Sequence, residues 1–254
     1  MKQPIRVGLI AEGEAELGPS IPYITPQDGG KVIDESEEGA LHTLIRRELI
    51  ADDFSGCQFV QRHPSLHESR KGKRRTGHGI LNRKYVAQTV IAWQPDEIDI
   101  VVLLVDADDL FPQRARELTR VIDTARKNHL DENDQPLLDR SAGGLAIKNF
   151  DTWLLADTGK VEEMLEVELP PELPHNLETL PGNQEVRDHA KNILDSSIDQ
   201  SRYLDQEKEG LRKLRIRWQL AFVVDLSQIR QRCPQGYPGF IEAVSEAAKA
   251  VTAT

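Results

Sequence analysis

Apolar residues are grouped along this chain in two ways. The runs IRVGLIA (5–11) and IDIVVLLVDAD (98–108) are nearly unbroken, as expected of strands buried on both faces. Elsewhere apolar residues recur every three or four positions. Ala40, Leu41, Leu44, Ile45 and Leu49 mark a helix within 37–53, and the same spacing predicts helices over 80–93 and 111–128. Pro112 falls in the first turn of the last of these, where a proline is tolerated. CQFVQR (57–62) and GGLAIKN (143–149) read as short strands, and FDTWLLAD (150–157) reads as a helix.

Strands that alternate with helices predict an α/β fold, a mostly parallel Rossmann-like sheet flanked by helices. The second half differs. A proline-rich connector (167–182) leads to three helical stretches, 183–197, 203–218 and 238–251, with AFVVDL (221–226) of undecided type. The expected division is a catalytic domain over 1–158 and a mainly helical extension over 159–254 packed on it.

The two buried runs end in acid. IRVGLIA meets Glu12, Glu14 and Glu16, and VVLLVD meets Asp106, Asp108 and Asp109. Ligands of open α/β sheets bind outside the carboxyl ends of the strands. Side chains at i and i+2 of an extended chain share a side, so Asp106 and Asp108 could aim at one point. If the two strands are neighbours, Glu12 joins them. Clustered carboxylates repel one another and persist best around a cation. Hard ions such as Mg²⁺ take oxygen ligands of this kind. Gly13 permits a tight turn or a close approach to a ligand. The plainer alternatives are an Asp109 that caps a helix and a Glu14 in a solvated first turn; Glu16 stays open between the two.

Composition changes this picture little. The 254 residues carry a net charge of -10, with 39% hydrophobic and 29% charged residues, which suits a globular protein. No apolar run is long enough to span a bilayer and no secretory leader is evident, so a cytoplasmic location without membrane contact is expected. Cys57 and Cys233 are too few and too far apart for a disulfide framework or a metal-ligand spacing, and free thiols are expected. One segment departs from the acidic average. RHPSLHESRKGKRRTGHGILNRK (62–84) gathers Arg70, Lys71, Lys73, Arg74, Arg75, Arg83 and Lys84. Such a cluster suits phosphate contact and salt-dependent nucleic-acid binding; the alternative is a solvated loop. His63, His67 and His78 lack a compact metal spacing.

The motifs VGLIAEGEAE, VVLLVDADD and FDTWLLAD, in that order, resemble an uncharacterised bacterial Toprim-like family, the domain of unknown function 4276. That family is related to Toprim nucleases of the overcoming-lysogenization-defect type. The resemblance covers about residues 5–157 and continues loosely through CPQGYPGFIEAV (233–244). It implies a Toprim-type nuclease that hydrolyses DNA or RNA with Mg²⁺ or Mn²⁺ in anti-phage defence, beside an ABC-class ATPase partner. By position, Glu12, Asp106 and Asp108 would be catalytic, and Glu16 and Asp151 would join them around the metal. Asp151 stands where relatives often carry Glu, which shortens its reach. Asp157 would be a further ligand or a helix cap, and Trp153 a core residue rather than a base-stacking one. The chain has no P-loop of its own. Two other readings compete: a non-catalytic regulatory or nucleic-acid-binding subunit, and a haloacid-dehalogenase-like phosphatase with Asp106 as nucleophile.

Overall fold

The computed structural model describes residues 4–18, 38–54, 56–60, 77–93, 98–128 and 140–252. Four strands, β1 (Ile5–Ile10), β2 (Cys57–Phe59), β3 (Ile100–Asp106) and β4 (Ser141–Ala146), form one sheet in the order β2-β1-β3-β4. Every pairing is parallel, with Val7 opposite Ile100 and Asp106 opposite Ala146. The expected α/β architecture is therefore present. Strands β1 and β3 are central, which is why their sequences show no polar face.

Alternate residues of β3 enter two separate cores. Ile100, Val102 and Leu104 pack on one face with α2 (Ala40–Ala51), α8 (Glu209–Val223) and α10 (Tyr237–Thr252). Val101, Leu103 and Val105 pack on the other with α3 (Arg83–Ala92) and α4 (Phe111–Asn128). Two adjacent glycines let helices close on both faces of β4. A side chain at Gly143 would strike Ile122 of α4, and one at Gly144 would strike Phe240 of α10. The CPQGYPGF motif starts α10: Glu178 accepts the N–H groups of Gln235 and Gly236 at 2.9 and 2.6 Å. Gly236 also lets the chain press on the backbone of Leu145.

Several boundaries differ from expectation for local reasons. Strand β4 ends at Ala146, two residues before Lys148 takes a left-handed φ of 70°. The helix expected from residue 183 starts at Ala190 as α7 (Ala190–Gln200), because Asn183 first organises turns through Glu185 and Val186. AFVVDL holds the end of α8 and then Asp225, which caps α9 (Leu226–Arg232) through the Ser227 N–H at 2.8 Å. Both cysteines are free and buried. Among the described residues no helix is long and apolar enough to cross a membrane.

Candidate active site at the β1–β3 crevice

The chain reverses its direction of travel across the sheet between β1 and β3, and a crevice opens at their carboxyl ends. Glu12 follows β1, and its Oε1 accepts the backbone N–H of Asp106, the last residue of β3, at 2.9 Å. Asp106 Oδ1 accepts the N–H of Phe150 at 2.8 Å. The ends of β1, β3 and the segment after β4 are thus fastened through the two carboxylates.

Gly13 precedes the single-turn helix α1 (Glu14–Leu17), which turns Glu16 inward and leaves Glu14 exposed. Gly18 ends that turn at φ 81°, a conformation suited to glycine. Gly39, before α2, lies against the backbone of Glu16 and Gly18 where no side chain would fit. Glu16 is therefore held by backbone packing, yet its buried Oε2 has no hydrogen-bond partner among the described residues.

Asp151 opens α5 (Asp151–Leu154). It meets Arg217 of α8 in a two-pronged ion pair, Nε–Oδ1 at 2.8 Å and Nη2–Oδ2 at 3.2 Å. Arg217 Nη2 also reaches Asp195 of α7 at 2.8 Å. Glu12, Glu16, Asp106 and Asp151 line a cavity of about 850 Å³ together with Lys191, Asp195, Lys213 and Arg217.

Charge repulsion and burial set the proton affinities. Burial first, then the charges of Glu16, Glu12, Asp151 and Asp108, lift the Asp106 carboxyl well above the usual range. Burial and Asp151 raise Glu16. Burial, with Glu16 and Asp108 behind it, raises Glu12 to about 7, against the opposing hydrogen bond from Asp106. Burial alone would lower the Arg217 guanidinium, but Asp151 and Asp195 outweigh it and keep it protonated.

The expected i, i+2 pairing of Asp106 and Asp108 is altered. Asp108 has a φ of 48° and forms an isolated antiparallel bridge with Lys148, so the strand alternation stops before it. It does not line the cavity, although its charge is felt by Glu12 and Asp106. Asp109 does not cap α4; it accepts Lys148 Nζ at 2.6 Å and the Gly182 N–H at 3.2 Å. Asp157 is a cap, accepting the Lys160 N–H at 3.2 Å at the start of α6 (Thr158–Leu165). Trp153 is core, packed among Phe150, Tyr237 and Phe240.

Arg70, Lys71, Lys73, Arg74 and Arg75, with Arg62, His63 and His67, lie outside the described residues. Arg83 and Lys84 are exposed at the start of α3, where Asn82 accepts the N–H groups of Lys84 and Tyr85. Strand β2 is parallel to β1, so the chain leaves it toward the basic segment from the sheet edge that carries Glu12.

Sequence reasoning missed the basic residues of the cavity. Lys213 and Arg217 stand one helical turn apart, the i, i+4 spacing that puts two side chains on one face. That spacing within LRKLRIRW was a readable sign. It also missed His189, which is buried beside the cavity with Asn149 Nδ2 at 2.7 Å from its Nε2 and whose imidazole burial holds below its usual value.

A family model matches residues 34–236, most of the chain, and its description is Domain of unknown function (DUF4276). The chain belongs to this family. The matched span includes Asp106, Asp151, Asp195 and Arg217, and begins after Glu12 and Glu16. Comparisons with curated proteins and with solved structures give no match.

Proposed function

We propose that this DUF4276 protein is a metal-dependent phosphodiester hydrolase of Toprim type, acting on DNA or RNA. The observation that carries the reading is the meeting of Glu12, Glu16 and Asp106 at the strand-order reversal, in a cavity that Lys191 and Lys213 also line. Carboxylates forced together in this way hold protons in the absence of a cation, and a cation displaces them.

The donor set suits Mg²⁺ or Mn²⁺ by its chemistry: it offers oxygen only, including the unpartnered Glu16 Oε2. Among the described residues no three acidic, histidine or cysteine side chains are placed so that they could hold a metal ion. The fit is therefore one of donor type, and side-chain adjustment would complete it. Glu16 and Asp106 would hold the ion, with Asp108 contributing charge from nearby. Bound there, the ion supplies a polarised water and offsets charge on the phosphate.

Glu12 has the proton affinity of a group that exchanges a proton near neutrality, at about 7, which suits it to general acid/base work. Lys191 would meet phosphate oxygens within the cavity, and Lys213 would do so by giving up its pairs with Asp199 and Glu209. The basic segment after β2 would extend that contact along a nucleic-acid backbone. The phosphatase reading, with Asp106 as nucleophile, leaves Glu12 and the basic segment without a role. Any use of ATP belongs to a partner of the ABC class.

The test is cleavage of plasmid, single-stranded DNA and bulk tRNA by the purified protein with Mg²⁺ or Mn²⁺. Glu12→Ala and Asp106→Ala run beside it. The reading expects metal-dependent cleavage that both variants lose, by about a thousandfold for several kcal/mol of lost transition-state stabilisation. Cleavage that persists in both variants would contradict it. No cleavage by the wild type, alone or with a co-purified ATPase, would favour a non-catalytic subunit.

A further inference from the structure

Among the described residues that line the cavity, Arg217 is the basic one that pairs directly with a carboxylate of the cluster, Asp151. Its side chain is 4% exposed, and that of Asp151 is 7% exposed. A guanidinium taken out of water keeps its charge only where carboxylates or other acceptors surround it. Its planar fork suits two-pronged pairing of the kind seen with Asp151. The pair also fastens α8 to α5, and Asp195 fastens both to α7.

Two-metal phosphodiester sites need extra carboxylates, because the ions stand roughly 3.5–4 Å apart and share ligands. The acids that could serve a second ion here are already engaged. Asp109 is drawn to Lys148 and the Gly182 N–H. Asp151 and Asp195 are drawn to Arg217. Asp108 lies off the cavity wall. The other acids that line the cavity are Glu12, Glu16 and Asp106, with the unpartnered oxygen on Glu16, and the solvent-exposed Glu14.

We infer that Arg217 takes the place of a second cation, so that the crevice binds one divalent ion per chain and Asp151 is not among its ligands. This rests on the hydrolase reading above and narrows it to a one-metal site. Arg217 is in this account a positioning residue. It neutralises Asp151 permanently, which leaves a single dication to balance Glu12, Glu16 and Asp106.

The experiment counts Mn²⁺ bound to the full purified chain by electron paramagnetic resonance, with no turnover required. The wild type is expected to bind one Mn²⁺. Asp151→Asn is expected to bind one as well, with affinity changed by less than about tenfold, whereas Asp106→Asn weakens binding by about a hundredfold or more. Two Mn²⁺ per wild-type chain, or a larger loss in Asp151→Asn, would overturn the inference. No Mn²⁺ on the wild type would overturn the inference and the metal-dependent reading together. The wild-type count needs no variant, so the claim stands or falls even if Asp151→Asn does not fold.

Discussion

Glu16 and Glu48 are both buried glutamates, and burial raises the proton affinity of both. Their surroundings are opposite. Glu48, on α2, accepts hydrogen bonds from Arg230 Nη1 and Nη2 at 2.5 and 2.6 Å and from the Tyr237 hydroxyl at 2.7 Å. Both its oxygens are satisfied, and they tie α2 to α9 and α10. Glu16 faces a cavity with one oxygen unpartnered and acidic neighbours around it. A carboxylate that holds a fold together is given donors. A carboxylate left among other carboxylates, with one oxygen unpartnered, is where the proposed cation would sit.

Removing one charge from each place should therefore have opposite consequences for stability. Glu48→Ala leaves the Tyr237 hydroxyl without its acceptor and should cost about 2–3 kcal/mol; the half-exposed Arg230 can turn to water, which keeps the loss at the low end for a broken buried pair. Asp106→Asn keeps an oxygen for the Phe150 N–H and cannot ionise among the neighbouring acids. It should melt no lower than the wild type in metal-free buffer. Urea titration of the two variants compares them directly, and an Asp106→Asn protein as unstable as Glu48→Ala would erase the contrast.

The next effect is a dependence on pH. The folded state holds a proton on Glu12 up to about 7, against an ordinary value of 4.5. Stability from this group is full below the ordinary carboxylate value and is lost as pH rises through about 7. Raised Glu16 and Asp106 act in the same direction. The metal-free protein should melt at progressively lower temperature as pH rises over that window, and Glu12→Gln should flatten the slope. The smallest effect belongs to Asp157, an acid outside the cluster. Asp157→Ala should cost about 1 kcal/mol as a lost helix cap and leave Mn²⁺ affinity unchanged.

The sheet could be read from the sequence because its signals are local. The apolar runs that became β1 and β3 have no polar face, and the acids that follow them identify the carboxyl edge. That Glu12 meets Asp106 depended on one further fact, the adjacency of β1 and β3, which supports the placement made from strand ends alone. The Asp106–Asp108 pair was harder to place. A left-handed residue after the strand breaks the alternation, and Asp gives little advance notice of a positive φ. The pairing of Arg217 with Asp151 was illegible for another reason. Arg217 reaches Asp151 across 66 residues of chain, and no periodicity encodes a contact between separate helices. Glu14 and Glu16 show the same limit on a smaller scale. They are alike in sequence and differ only because a single turn, pressed by Gly39, hides one of them.

The most direct test of the unfinished cluster is the melting temperature under a Mg²⁺ titration near pH 8, in the wild type and in Asp106→Asn. A ligand that binds only the folded state stabilises it by mass action, about 2.7 kcal/mol at a hundred times its dissociation constant. The account predicts a saturating rise in the wild type and none in Asp106→Asn. An equal rise in both proteins, or none in either, would contradict a cation site at the meeting point of β1 and β3.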